Sequence, residues 1–327
     1  MLDKDEHQLL IDASVLYYLE GKTQSEVAKE LFLSRPKVSR LLKKARDLQI
    51  VDITINYNNE KMEELQGEIR RTFNVPNVVI VKTLSDKKET INEVGKAAAK
   101  ELGLILHDDM TLGISWGKHV RICSSFLKKH EYTGIRVVEL FGAISYDMDK
   151  LDMLSIGRSI SSKVGGRLYP LPSPIYINDA NARKAIMETP LIKNTLTMIE
   201  ECDLILSGIG AVDSETSTFQ TLWDNYVESD IKQQVISHGG IGFILAHFFD
   251  QHGEFLDIPA NDNVIGIRTE TIKEKKIFAI AAGEKKAKAI FAALRGGLVH
   301  TIVSDEDTLR LVLKYGKRLS EIEKGGR

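Results

Sequence analysis

The chain has 327 residues and a formal net charge of −2, and at roughly 150 residues per domain that length suggests about two domains. Apolar residues make up 43% and charged residues 28%, which excludes a collagen-like or wholly disordered chain. There are only two cysteines, Cys123 and Cys202, so neither a disulfide framework nor a multi-cysteine zinc site is expected, and a reducing cytoplasm is the expected compartment. The longest apolar stretch, 241–249, contains His247 and is too short to span a bilayer. The first residues, MLDKDEHQ, are polar and acidic, unlike a signal peptide.

In chain order, Leu9, Leu10, Ala13, Leu16, Tyr17 and Leu19 recur at helical spacing and predict a first amphipathic helix over about 5–20. Gly21 is placed to end it. Thr23, with Glu26 three residues on, forms a capping box for a second helix through Val27, Ala28 and Leu31. Phe32 and Leu33 make a short connection. Ser34 is placed to cap a third helix whose first turn accommodates Pro36. That helix turns Val38, Leu41, Leu42 and Ala45 inward and leaves most of its basic residues on the other side. Between Lys22 and Leu48 stand eight basic residues against three acidic ones, a balance of +5, so the other 300 residues carry −7.

Two short helices, a tight turn and a basic third helix read as a helix-turn-helix, with double-stranded DNA as the partner. The candidate DNA contacts are Ser34, Arg35, Lys37, Ser39, Arg40, Lys43 and Lys44. Arginine has the planar fork that guanine requires, serine can meet a base or a phosphate, and the lysines further along suit phosphates. The VDITI stretch after Ile50 is a candidate wing or return strand.

The polar run 56–60 places the domain boundary near residue 56, giving domains 1–56 and 57–327. Residues 61–73 read as a connecting or dimerising helix. Beyond residue 77, apolar β-branched runs at 78–81, 135–140, 204–206, 264–267, 277–281 and 301–303 alternate with helical stretches at 89–106, 150–163, 285–295 and 306–315. That alternation predicts an α/β domain with a mostly parallel, Rossmann-like sheet covered on both faces. Glycines cluster after the strands, in Gly113-Ile114-Ser115-Trp116-Gly117, Gly142-Ala143, Gly208-Ile209-Gly210 and Ala282-Gly283. Ligands of open α/β sheets bind at the carboxyl ends of strands. A helix starting directly after such a loop offers N–H groups to an anion, and the starts near Lys118 and Lys285 both fit, with Lys286 adding charge.

The N-terminal run, LGISWG, ELFGAIS, LPSP, SGIG, HFFDQHG, ANDNVIGI and AAGEKKAKAIFAALRGG together resemble the SorC family of sugar-responsive bacterial transcriptional regulators over essentially the whole chain. The resemblance implies a DNA-binding domain joined to an effector domain related to sugar-phosphate isomerases and deaminases. It also implies homo-oligomers, tetramers or dimers of dimers, and a carbohydrate-operon repressor controlled by a phosphorylated sugar or polyol. Carried over residue by residue, its phosphate loop falls on Gly113, Ser115, Trp116, Gly117, Lys118 and His119, and its phosphate-side lysine on Lys286. Its pocket-lining pair falls on Asn261 and Asp262, and Gly142 forms another wall. The sequence departs from the family pattern at three places. Lys118 and His119 stand where relatives have small hydroxyl residues, Phe243 stands where many have aspartate, and Phe141 leaves no lysine for imine chemistry. These departures leave open a different anionic sugar, a larger polyol phosphate or a weakened site.

The alternative reading is a sugar-phosphate isomerase or deaminase with an accessory N-terminal domain. Asp262, His119, His238 and His247 are its candidate general bases. None has a convincing catalytic partner in sequence, and His247 reads as a core histidine. No cofactor or metal is expected, since no His or Cys pair has ligand spacing.

Overall fold

The computed structural model describes residues 4–48, 50–51, 53, 60–143, 153–212 and 229–325. The chain divides into two compact units, Met1–Asn56 and Tyr57–Arg327.

In the first unit, α1 (Lys4–Ser14) runs into a π-turn (Val15–Leu19), followed by α2 (Gln24–Glu30) and α3 (Arg35–Asp47). Gly21 has φ +71°, the left-handed conformation that releases the chain from the first helix. The capping box forms: Glu26 N–H donates to Thr23 Oγ1 (3.3 Å) and Thr23 N–H donates to the Glu26 carboxylate (2.8 Å). Ser34 takes the cap position in extended conformation, but its hydroxyl makes no cap bond. The reason is local: the Lys37 N–H that the hydroxyl would satisfy already donates to the Ser34 carbonyl at 2.9 Å. Val38, Leu41, Leu42 and Ala45 pack with Leu10, Ala13, Leu16, Val27 and Ala28 in one small core. Most of the VDITI stretch, with residues 52, 54 and 55, lies outside the described residues.

The second unit opens with α4 (Glu60–Phe73) and β1 (Asn77–Val81), followed by α5 (Lys87–Ile105), β2 (Thr111–Ile114), α6 (Lys118–Phe126), β3 (Arg136–Glu139), α7 (Met153–Val164) and β4 (Arg167–Tyr169). Then come α8 (Ala180–Met187), α9 (Pro190–Glu200), β5 (Leu204–Gly208) and β6 (Gly210–Ala211). After α10 (Ser229–Ser237), a hairpin of β7 (Gly242–Ile244) and β8 (His247–Phe249) leads to α11 (Pro259–Asp262) and α12 (Thr269–Glu274). The fold closes with β9 (Ile277–Ile280), α13 (Ala287–Arg295), β10 (Thr301–Asp305) and α14 (Glu306–Gly325).

Seven strands form one sheet in the order β1-β10-β9-β5-β2-β3-β4, and every neighbouring pair is parallel. Side chains alternate between two cores. Ile205, Ile277 and Ala279 pack among α4, α9, α13 and α14, whereas Leu204, Leu206, Phe278 and Ile280 pack among α5, α6 and α7. Burial on both faces explains why the strands read as continuous apolar runs. From β2 the chain winds outward through β3 to β4, then returns to the other side of β2 with β5 and winds away through β9 and β10. The order therefore reverses between β2 and β5, the position where an open sheet leaves a crevice at its carboxyl edge.

Residues 264–267 are not a strand. Ile265 N–H donates to the Ile175 carbonyl and Ile267 N–H to the Leu140 carbonyl, so the segment crosses between two loops instead of joining one ladder. No helix among the described residues is long and apolar enough to cross a membrane.

Candidate functional site

The first unit presents a basic surface on α3. Ser34, Arg35, Lys37, Ser39, Arg40 and Lys43 are all exposed, while the helix buries its apolar stripe. Arg40 is steadied by an Nε–H bond to the Pro36 carbonyl (3.4 Å). Lys44 differs from the others, because its ammonium pairs with Glu6 on α1. It is the least available of the seven expected DNA contacts, though an exposed pair of this kind is weak.

The second unit holds a cavity of about 600 Å³ at the carboxyl edge of the sheet. The loop after β2 and the start of α6 bring Ser115 to His119 to it, and the end of β5 with the step into β6 brings Ser207 to Gly210. β2 and β5 are the two strands flanking the switch point. The turn after β9 adds Gly283 to Lys286, and the β7–β8 hairpin adds Phe243, Leu245 and Ala246. Two glycines shape the loops. Gly117 (φ +140°) stands at the N-cap of α6 and Gly283 (φ +108°) precedes a 3₁₀ turn over Glu284–Lys286, backbone positions that a side chain would strain. With Gly117 as cap, the N–H groups of Lys118 and His119 have no partner within the helix. They start a nine-residue helix, and a helix N-terminus of this kind favours negative charge.

The cavity is lined by Lys87, Lys118, Lys285 and Lys286 against Glu284, Asp305 and Asp307, and two of its buried ring nitrogens lack partners. The Lys286 ammonium donates to the Ile209 carbonyl at 2.8 Å. Burial, and then the Lys118 ammonium, push its pKa down to about 8. His119 is buried and its Nε2 has no partner. Burial, then Lys286 and Lys118, hold its pKa well below the usual imidazole range, so it stands neutral. Trp116 Nε1 is likewise buried and unpartnered, with its ring edge-on to Phe141 at 6.1 Å. Buried polar groups in native proteins ordinarily find partners. An unpaired imidazole nitrogen and an unpaired indole N–H beside a desolvated ammonium therefore suit an occupant that supplies acceptor atoms. Ser115 does not offer its N–H as expected, because that group donates to the Leu206 carbonyl at 2.9 Å, and its hydroxyl bonds Ser207.

Four expected pocket residues do not line this cavity. Gly113 lies inside β2, where an added Cβ would fall 2.7 Å from the Leu140 side chain, so its smallness serves packing between strands. Gly142 lies against the backbone after Leu171; a Cβ there would sit 2.3 Å from the Ser173 carbonyl oxygen and 2.5 Å from that of Pro174. Backbone cannot swing aside as a side chain can, so Gly142→Ala is expected to cost about 2 kcal/mol or more, read as a lowered midpoint in denaturant unfolding. Asn261 is buried and spends its amide on structure: Oδ1 accepts from Phe248 N–H (2.7 Å), and Nδ2 donates to the Phe248 (2.9 Å) and Leu256 (2.7 Å) carbonyls. Asp262 ends the one-turn helix α11 on its exposed side.

Among the contributors missed in sequence are Asp305 and the Leu245-Ala246 turn. Asp305, at the end of β10, is buried at the cavity and accepts from Gly283 N–H (3.1 Å), Thr83 Oγ1 (2.9 Å) and Thr308 Oγ1 (2.6 Å). It fixes the Gly283 turn that delivers Lys286. Leu245 and Ala246 form the hairpin turn with positive φ at both residues (52° and 65°); such a turn ordinarily carries Asn-Gly, so nothing in the letters announced it.

Of the candidate general bases, only His119 reaches the cavity. His247 is buried in the core, with its Nε2–H donating to the Ile267 carbonyl at 2.7 Å, and burial pushes its pKa down to about 4. His238 is exposed. No metal-ligand cluster occurs among the described residues.

Residues 57–314 match the family model described as "Putative sugar-binding domain". The chain is 29% identical over 304 residues to the transcriptional regulator LsrR of Escherichia coli O139:H28 (strain E24377A / ETEC), covering 91% of this chain and 92% of that protein. It is 26% identical over 314 residues to LsrR of Enterobacter sp. (strain 638), covering 94% and 93%. Among solved structures, the full-length sorbitol operon regulator SorC from Klebsiella pneumoniae superposes with a TM-score of 0.74 at 22% identity, covering 95% of this chain and 100% of that one. A transcriptional regulator from Streptococcus pneumoniae TIGR4 gives 0.73 at 20% identity, covering 79% and 98%.

Proposed function

The chain belongs to the sugar-binding-domain family of SorC-type, sugar-responsive transcriptional regulators, and from that premise we propose that a phosphorylated sugar or polyol, held in the cavity, controls its affinity for an operator. One observation carries the reading: the half-buried Lys286 ammonium lies in one cavity with the free N–H groups opening α6 and the unpartnered Trp116 and His119 nitrogens. A phosphate dianion can answer all of these together, because it offers three acceptor oxygens and two charges. Lys118 stands exposed at the rim and adds a further cation. The apolar wall of Phe141, Ile209 and Phe243 faces the carbon skeleton of the ligand.

On the DNA side, Arg35, Ser39 and Arg40 read base edges, with Ser34 beside them, while Lys37, Lys43 and Lys44 meet phosphates. The assembled regulator is a homo-oligomer, a tetramer, acting as a repressor in the cytoplasm. A symmetric oligomer supplies the two recognition helices that a palindromic operator needs, about one helical turn or a multiple apart.

Thermal unfolding of the full chain with a panel of sugar phosphates and their unphosphorylated counterparts tests the effector. A ligand bound only by the folded state stabilises it by about 2.7 kcal/mol at 100 times its Kd. A midpoint raised by phosphorylated sugars alone is the expected result, and equal shifts with the unphosphorylated partners would remove the anion from the reading.

The same assay has a pH signature. The folded-state pKa of Lys286, about 8, lies below the ordinary 10.5. Between those values the unfolded chain binds more protons, so this lysine makes the ligand-free protein more stable as pH rises through that window. Anion binding has the opposite slope, because it requires the ammonium. The ligand-induced midpoint shift is therefore expected to shrink as pH passes about 8, and a shift that stays constant across that range would separate Lys286 from the anion.

A further inference from the structure

Phe32 breaks two rules at once. It is a large apolar side chain left 96% exposed, more than any other large apolar residue among those described, with Leu19 next at 80%. It also has φ +54°, a left-handed conformation that L-residues other than glycine adopt at a cost. Neither feature stabilises the free protein, and glycine at this position would relieve both. A residue that breaks local rules without a folding benefit points to function.

Its setting says which function. Phe32 lies in the turn between α2 and α3, two residues before the cap Ser34 and three before Arg35. The turn is held on both sides of the ring: Phe32 N–H donates to the Lys29 carbonyl (3.3 Å) and Leu33 N–H to the Ala28 carbonyl (2.8 Å). The ring therefore stands on a fixed base. Lys29, Arg35, Lys37 and Arg40 flank it in sequence and are all exposed. That charge disfavours an apolar protein partner and favours a polyanion. When the N-terminal turn of a recognition helix enters a major groove, the turn just before it comes to the lip of that groove. The apolar surfaces there are the thymine C5-methyl group and the C–H face of deoxyribose.

We propose that Phe32 is a DNA-contacting residue, packing its ring on apolar C–H surface of the operator at the entrance to the major groove. This rests on α3 being the recognition helix, and the test keeps the two apart. The probe is a duplex recovered by selection from a random-sequence library on the full-length protein. Phe32→Gly is expected to raise the thermal midpoint of the free protein and to weaken duplex binding roughly tenfold, since a buried phenyl outweighs several methylenes. Replacing thymines by deoxyuridine one at a time then distinguishes the two surfaces. If the ring meets a methyl group, one position costs the wild type roughly fourfold, the worth of one buried methyl, and costs Phe32→Gly nothing. If it meets deoxyribose, Phe32→Gly still loses affinity and no thymine position stands out; both results support the contact. Unchanged affinity in Phe32→Gly would overturn it while leaving α3 as the reader. A lowered midpoint together with lost binding would show a structural role instead. A changed oligomeric state in Phe32→Gly would show that a second copy of the chain covers the ring. A wild-type chain that selects no duplex would overturn the recognition-helix reading and this contact with it.

Discussion

Lys286→Met is expected to abolish the response to a phosphorylated effector while leaving operator affinity without effector unchanged. Methionine keeps most of the stem volume, so the substitution removes the ammonium without opening a large void. In the wild type the ammonium is desolvated and has one neutral partner, the Ile209 carbonyl. A phosphate in the cavity would give it a charged partner in the same low-dielectric surroundings. Truncating one side of such a buried, hydrogen-bonded charge pair typically costs about 2–5 kcal/mol, or roughly 30- to several-thousand-fold in affinity. Isothermal calorimetry on both proteins reads this directly. An unchanged affinity for the phosphorylated ligand would place the anion elsewhere. The variant should be no less stable than the wild type at neutral pH, because a half-buried cation whose pKa the fold depresses has been removed. That result would separate loss of binding from loss of fold.

The double substitution Arg35→Ala, Arg40→Ala is expected to have the largest effect on DNA. A well-placed bidentate arginine–guanine contact is worth about 1–3 kcal/mol of discrimination. Losing two predicts roughly a hundredfold or greater loss on the selected operator, with much less effect on unrelated DNA. Both side chains are exposed and outside the core of the first unit, so stability should change by about 0.5 kcal/mol or less. Lys43→Ala differs in kind. A phosphate contact carries no sequence information, so it should lower affinity for all duplexes alike and reduce the salt slope by about 0.9. Equal losses on operator and unrelated DNA for the arginine pair would mean that these residues do not read bases.

The first unit was legible in sequence because its signals are local. The Thr23–Glu26 box, Gly21, Pro36 and the inward set Val38, Leu41, Leu42 and Ala45 each specify structure within a few residues. The sheet was legible for another reason: strands buried on both faces carry apolar runs, and Val78–Val81, Leu204–Leu206, Ile277–Ile280 and Ile302–Val303 form such runs within β1, β5, β9 and β10. The loops after β2, β5 and β9 followed from the rule that ligands gather at carboxyl ends. What failed depends on where side chains point in three dimensions. Asn261 looks like a ligand-binding amide until its partners prove to be the Phe248 and Leu256 backbone. Gly142 looks like a site glycine until the nearness of Ser173 and Pro174 explains it. Asp305 gave no signal, because its work is to hold a turn more than 20 residues earlier in the chain. The hairpin at Gly242–Phe249 was hidden because Leu245 and Ala246 occupy left-handed positions that normally advertise themselves with glycine or asparagine.

In the proposed function, an anion in the cavity is coupled to an operator on α3 through one protein. A ligand can shift an equilibrium only by its differential affinity for the two states. Operator affinity of the full chain, measured at fixed salt with and without a saturating phosphorylated sugar chosen by its thermal shift, tests this most directly. A change of about 5- to 150-fold is expected, a coupling of roughly 1–3 kcal/mol, with no change in Lys286→Met. Identical operator affinities for the wild type at a ligand concentration that demonstrably fills the cavity would contradict the coupling.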